Sequence, residues 1–122
     1  MAELYLDTRH ADGIAHLGLR GDFDADNAPR VQEALATLTD RDQPTIFVHM
    51  ADLKYIDSAG LGVLVGALKQ AAARSGRIAL IQPSPFVSRV LRVTALDKVF
   101  SVFADEAQAL AGLSSMPTAF SS

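Results

Sequence analysis

The chain has 122 residues, of which 49% are hydrophobic, and this suits the core of one small domain. A net charge of -3 with dispersed basic residues argues against direct nucleic-acid binding, and the lack of cysteine excludes disulfides and thiolate metal sites. The first residues lack a basic segment followed by an apolar core, so we expect a cytoplasmic protein without membrane insertion.

The first part of the chain predicts a hairpin followed by a helix. Residues 4–8 and 14–19 alternate apolar and polar side chains, and Asp12-Gly13 between them is a typical turn pair. Asp26 or Asn27 is expected to cap the helix that follows. The apolar stripe of this helix consists of Val31, Leu35 and Leu38.

Strands and helices then alternate along the chain. The pattern predicts strands at 45–50, 77–82 and 99–103 and helices at 58–74, 84–94 and 105–113. Ser84, followed by Pro85, is expected to cap the second of these helices. Such alternation requires crossover connections and a largely parallel sheet. We therefore predict a single α/β domain at residues 1–113, with a mixed, mostly parallel sheet of four to five strands that opens with a hairpin, and about four α-helices. Residues 114–122 are expected to form a flexible C-terminal tail.

The pair Asp57-Ser58 lies at the junction between a predicted interior strand and a helix. A serine in the first turn of a helix is surrounded by unpaired N–H groups and by the positive end of the helix dipole. A phosphoryl group on Ser58 would be tolerated there. The simpler interpretation is that Asp57 and Ser58 only cap the helix.

Three glycines follow this serine within seven positions, at Gly60, Gly62 and Gly66. Each glycine inside a helix costs about 1 kcal/mol relative to alanine, so some advantage must offset them. Ser58, Gly62 and Gly66 share one flank of the helix. Either the helix packs closely on the sheet along this flank, or a partner's backbone approaches it. The sequence leaves both explanations open.

Three segments together resemble a known family. Residues 53–65, LKYIDSAGLGVLV, look like the signature of the STAS family, whose single-domain members are anti-sigma factor antagonists, or anti-anti-sigma factors. Residues 20–24, RGDFD, and residues 90–100, VLRVTALDKVF, resemble two further family motifs in the expected order. Two positions depart from the family: Ala59 replaces a frequent second serine or threonine, and Ala95 replaces a frequent glycine.

The resemblance implies a partner-switching regulator without catalytic activity, metal or cofactor. In that family an anti-sigma factor serine kinase phosphorylates the serine that matches Ser58, and a PP2C-type phosphatase removes the group. The unphosphorylated form binds the kinase and frees its sigma factor. The corresponding partner-binding residues are Asp24, Asp57, Ser58, Ala59, Gly60, Gly62 and Gly66. The alternative within the family is a subunit of a lipid-transport ABC complex or a stressosome-like scaffold.

A calcium site is a competing interpretation of one acidic segment. The carboxylates at positions 1, 3, 5 and 12 of an EF-hand pattern are Asp22, Asp24, Asp26 and Glu33. The context disagrees, since Asn27 replaces the required glycine and the upstream segment alternates like a strand. We expect an acidic turn before a helix.

Two further functional interpretations fail because the sequence lacks residues that they require. A receiver domain would use Asp57 as its phosphate acceptor, but the acidic pair that it needs after the first strand is missing. A serine hydrolase needs Gly-x-Ser-x-Gly, and Ile56 occupies the first glycine position. We therefore predict that the chain is not an enzyme.

Overall fold

A computed structural model describes residues 3–116, and it confirms the predicted α/β architecture. The strands are β1 (Leu4–Ala11), β2 (Ile14–Phe23), β3 (Thr45–Ile56), β4 (Arg77–Ile81) and β5 (Ser101–Phe103). The helices are α1 (Ala28–Thr39), α2 (Ser58–Ala73), α3 (Pro85–Val93) and α4 (Glu106–Ala111). Short 3-10 turns cover Leu96–Lys98 and Leu113–Ser115.

The five strands lie in the order β1-β2-β3-β4-β5, with β1 antiparallel to β2 and all other neighbours parallel. Because consecutive parallel strands are adjacent, right-handed crossovers carry α1, α2 and α3 to the same face of the sheet. We call this the helical face. Its core combines alternate strand residues such as Leu17, Val48 and Leu80 with helix residues such as Val31 and Leu64.

Residues 3–116 cover only part of the opposite face, which we call the open face. Helix α4 and the turn after it pack there on Phe47 and Ile81, through Ala109 and Met116. Beyond this cluster, a groove with a volume of about 540 Å³ lies over the neighbouring parts of β1, β2 and β3. The fold therefore has one closed helical layer and one incomplete layer.

Strand β3 is longer than predicted, since it continues from Met50 to Ile56. Its pairing with β2 shifts register twice, and each shift inserts one extra residue into β3. Such bulges interrupt the alternation of buried and exposed residues. Leu53 and Ile56 are buried while the residues between them are exposed, so the segment lacks the two-residue period that identifies a strand.

Two predicted helix caps have other roles. Asn27 and Ser84 occupy the N-cap positions of α1 and α3, but neither side chain makes a capping hydrogen bond. The Ser84 hydroxyl instead donates to the Leu53 carbonyl oxygen at 2.5 Å. This bond ties α3 to the bulged part of β3, beyond the last residue that pairs with β4.

The C-terminal elements are shorter than predicted. Strand β5 begins at Ser101 because the preceding segment forms a 3-10 turn and buries Phe100, and α4 spans only Glu106–Ala111. Of the tail predicted at 114–122, residues 117–122 lie outside the described residues, and Met116 is buried. Within residues 3–116, no helix has the length and apolar character required to span a membrane.

Candidate functional site

Ser58 is the first residue of α2 and is exposed to solvent. The residues beneath it are fixed in the core, since Ile56 is 2% and Phe23 0% exposed. Helix α2 has 16 residues, so its dipole is fully developed at this end. The predicted position of Ser58, in the first turn of a helix that follows an interior strand, is confirmed.

Asp57 is the N-cap of α2 and connects the helix to the loop before α1. One carboxylate oxygen accepts a hydrogen bond from the Gly60 N–H at 3.0 Å, which is a standard cap. The other oxygen accepts from the Ala25 N–H at 3.2 Å. The Asp57 N–H donates to the Phe23 carbonyl at 3.2 Å. Asp57 thereby orients the backbone at Ser58 and holds the neighbouring loop beside it.

That loop, residues 24–27, is braced by hydrogen bonds of its own. One Asp24 carboxylate oxygen accepts from the N–H groups of Asp26 and Asn27 at 3.0 and 3.2 Å. The Asn27 side chain accepts from the Asp24 N–H at 3.0 Å and donates to the Asp22 carbonyl at 2.8 Å. Asp22 belongs to strand β2, so the segment is a strand followed by a turn and a helix instead of an EF-hand. Asp24 is half-buried and lies in the loop that Asp57 holds.

The three glycines of α2 differ in their surroundings. A Cβ atom on Gly60 would lie 2.8 Å from Ile56 Cγ1 and 3.0 Å from the Phe23 carbonyl oxygen, so close packing requires glycine there. Gly62 and Gly66 would place a Cβ in open space. Packing therefore accounts for Gly60, whereas no packing contact within residues 3–116 explains Gly62 and Gly66.

Gly62 and Gly66 line a groove between α1 and α2. Its volume is about 190 Å³, and Ala59 lies at the end nearest to Ser58. Gln32 of α1 and Gln70 of α2 supply polar groups along it. The structure thus brings the predicted residues Asp24, Asp57, Ser58, Ala59, Gly62 and Gly66 onto one side of the molecule, with Gly60 beneath them.

A second polar cluster lies on the open face, and the sequence did not predict it. His16 Nδ1 of β2 lies 2.8 Å from His49 Nε2 of β3, and Glu106 Oε1 lies 3.9 and 3.6 Å from these two nitrogens. The histidines are 33 residues apart and looked scattered. The sequence did contain one signal for this cluster. Each histidine directly follows an apolar residue in a predicted strand, so the side chains of the two residues project from opposite faces of the sheet.

Comparisons with known proteins agree with this geometry. The STAS domain profile matches residues 5–109. The anti-sigma-B factor antagonist of Listeria monocytogenes is 31% identical over 96 residues, which cover 79% of this chain and 81% of the relative.

Two solved structures have the same fold. The crystal structure of an anti-sigma factor antagonist from Mycobacterium paratuberculosis has a TM-score of 0.80 and 21% identity, covering 92% of this chain and 95% of that one. The phosphorylated form of the Bacillus cell fate determinant SpoIIAA has a TM-score of 0.68 and 21% identity, covering 91% and 99% of the two chains. These two likenesses show the fold. The profile match over most of the chain and the identity with the Listeria relative show that the chain belongs to the STAS domain family.

Proposed function

We propose that this protein is an anti-sigma factor antagonist that works by partner switching. Unphosphorylated, it binds an anti-sigma factor with serine kinase activity, and the kinase then releases its sigma factor. Phosphorylation of Ser58 ends the binding. The observation that carries this proposal is the exposed Ser58 hydroxyl at the start of α2, beside a cap that already fixes the helix end. The name of the Listeria relative supports the role.

The switch depends on a difference in how the fold and the interface respond to a phosphate on Ser58. A phosphate adds about 1.5 to 2 negative charges, which the N-terminus of a helix stabilises by about 0.3–1 kcal/mol. In a tight interface the same charge would have to lose its water or be placed against a like charge of the partner. The fold therefore tolerates the modification, while the contact with the kinase does not.

The proposed contact surface, which we call the switch face, consists of Asp24, Asp57, Ser58, Ala59, Gly62 and Gly66. Its centre is Ser58, and its shape comes from the shallow groove along Gly62 and Gly66. Without side chains at these two positions, a partner's backbone can approach α2 closely. Gly60 contributes from below, since its packing against Phe23 sets the position of the helix start.

The remaining partners follow from the same scheme. A PP2C-type phosphatase would remove the phosphate from Ser58 and restore binding. The protein acts in the cytoplasm, as a substrate of these two enzymes and without catalytic activity of its own. It influences transcription through the kinase and makes no direct contact with DNA.

The direct test is mass spectrometry after incubation with the cognate kinase and ATP. We expect one phosphate on the wild type, located on Ser58, and none on Ser58→Ala. The matched control is Ser114→Ala, which removes another exposed serine and should be phosphorylated like the wild type. Phosphate on the Ser58→Ala protein would show that the switch residue lies elsewhere.

A further inference from the structure

The cluster on the open face has the composition of a metal site. His16 is 4% exposed, while the side chains of His49 and Glu106 are 26% and 40% exposed, so the cluster has a buried side and a side open to solvent. The three residues come from β2, β3 and α4, and the sheet together with the docking of α4 holds them together. Switch-face residues are absent from this cluster.

The facing atoms of the cluster lie close enough together to contact one ion of the size of zinc. The three facing atoms, His16 Nδ1, His49 Nε2 and Glu106 Oε1, form a triangle with sides of 2.8, 3.6 and 3.9 Å. The centre of such a triangle lies about 2 Å from every corner, and Zn²⁺ binds imidazole nitrogen and carboxylate oxygen at about 2.0–2.2 Å.

We propose that His16, His49 and Glu106 bind one divalent transition-metal ion, with Zn²⁺ as the best match. Two imidazoles and one carboxylate suit zinc and its neighbours, whereas Ca²⁺ and Mg²⁺ prefer oxygen ligands throughout. Three protein ligands leave a fourth tetrahedral position open, and it faces the groove over β1, β2 and β3. Water or a donor from another molecule fills this position.

The protonation of the two rings is compatible with metal binding. Burial lowers the pKa of both His16 and His49 from the ordinary 6.5, and the Arg9 guanidinium acts in the same direction, while the Glu106 carboxylate opposes it. Neutral imidazoles keep a lone pair for a metal. In the structure the two nitrogens share a hydrogen bond, and the rings lie 18° from parallel. Binding therefore requires both protons on the outer nitrogens and a turn of the more exposed His49 ring.

Arg9 competes for the same carboxylate. Its guanidinium lies 3.2 Å from Glu106 Oε1, in a pair whose side chains are 53% and 40% exposed. An exposed pair of this kind contributes little to stability, so a metal ion can displace it or leave Arg9 to the second carboxylate oxygen. The bound ion would connect α4 directly to β2 and β3.

The experiment titrates the full chain, freed of metal with a chelator, with Zn²⁺ in competition with a chromophoric chelator. We expect one Zn²⁺ per chain. His49→Ala and Glu106→Gln should each weaken binding at least about tenfold, because loss of even an outer-shell partner costs 10–100-fold. The wild type should also gain thermal stability with Zn²⁺, and the two variants should gain less. Both substituted positions are partly exposed, so the variants should fold.

Two control variants separate this site from general surface binding. His10→Gln removes the third histidine, and Glu33→Gln an exposed glutamate; both should bind Zn²⁺ like the wild type. Co²⁺ should give the intense visible absorption of tetrahedral coordination in the wild type and lose it in His49→Ala. The proposal is overturned if no saturable binding of one equivalent occurs below about 1 mM Zn²⁺. It is also overturned if His49→Ala and Glu106→Gln bind as tightly as the controls.

Discussion

Ala95 adopts φ 61° and ψ 15°, a left-handed conformation that brings the Cβ of an L-residue close to the following carbonyl oxygen. Of the five described non-glycine residues with positive φ, only Ala95 lacks a polar side chain. The resemblance already indicated this conflict, because it implies a glycine at this position and alanine resists the left-handed conformation. In the structure, the turn between α3 and the 3-10 segment at Leu96–Lys98 keeps its left-handed conformation although the residue there is alanine.

Ala95→Gly should therefore stabilise the protein. Removing the Cβ relieves a cost of about 1–2 kcal/mol, and the greater freedom of glycine in the unfolded chain offsets roughly half of it. We expect a net gain of about 0.5–1 kcal/mol in the free energy of unfolding, measured by urea denaturation. Ala36→Gly, at an exposed position inside α1, should lower the free energy of unfolding by about 1 kcal/mol. The explanation fails if both substitutions change stability in the same direction.

At the scale of elements, helix α2 carries glycines for two different reasons. Gly60 allows the helix start to pack on Phe23 and Ile56. Gly62 and Gly66 reduce helix stability, and no contact in the described part of the chain requires glycine at either position. Because these two glycines lower helix stability on a solvent-facing flank, a contact with another molecule explains them better. The flank is also the wall of the groove next to α1.

Paired substitutions in α2 should separate these two reasons. Gly62→Gln should raise the free energy of unfolding by about 0.5–1 kcal/mol, because glutamine is a better helix former. It should also weaken kinase binding by roughly tenfold or more, equivalent to about 1.4 kcal/mol. The reason is that the glutamine side chain occupies the space in which the partner's backbone would contact α2. Gly60→Ala should instead lower stability by about 1–3 kcal/mol, through overlap with Phe23 and Ile56. Urea denaturation and binding titration measure the two effects. Equal losses of stability and binding in Gly62→Gln would favour packing as the role of this flank.

The sequence predicted the order and type of the strands and α-helices because most of them follow a single period. It did not predict the second half of β3, where two bulges against β2 replace the two-residue alternation. Bulges depend on the partner strand, and no local pattern contains them. The role of Ser84 was missed for the same reason, since the Leu53 carbonyl that it binds belongs to the bulged segment.

At the scale of the whole molecule, the consecutive strand order explains both candidate sites. It places α1, α2 and α3 on one face, where the start of α2 meets the loop before α1 at the carboxyl ends of β2 and β3. It also makes β2 and β3 neighbours, so that His16 and His49 meet on the other face, which residues 3–116 cover only in part. Motif resemblance predicted the first site. The second depends on strand register, which the sequence does not specify, and on the docking of α4.

Stability and binding should respond separately to a charge at position 58. Ser58→Asp adds one negative charge at the start of α2, where the helix dipole gives about 0.3–1 kcal/mol of stabilisation at most. For a domain of this size that energy shifts the thermal midpoint by only a few degrees. The exposed side chain breaks no core contact, so we expect the midpoint to stay within that range while kinase binding is lost.

The asparagine of Ser58→Asn has nearly the same size as the aspartate of Ser58→Asp but carries no charge. Comparing the two variants therefore separates the effect of side-chain size from the effect of charge. If charge causes the loss, Ser58→Asn should retain much more kinase binding than Ser58→Asp, at an equal thermal midpoint. Scanning calorimetry and a binding titration on the same samples measure both quantities. Unchanged binding of Ser58→Asp, or its unfolding, would contradict the switch, because the fold must tolerate the charge that the interface rejects. Equal losses in both variants would mean that the partner excludes volume at Ser58, and the phosphate would then act by its size.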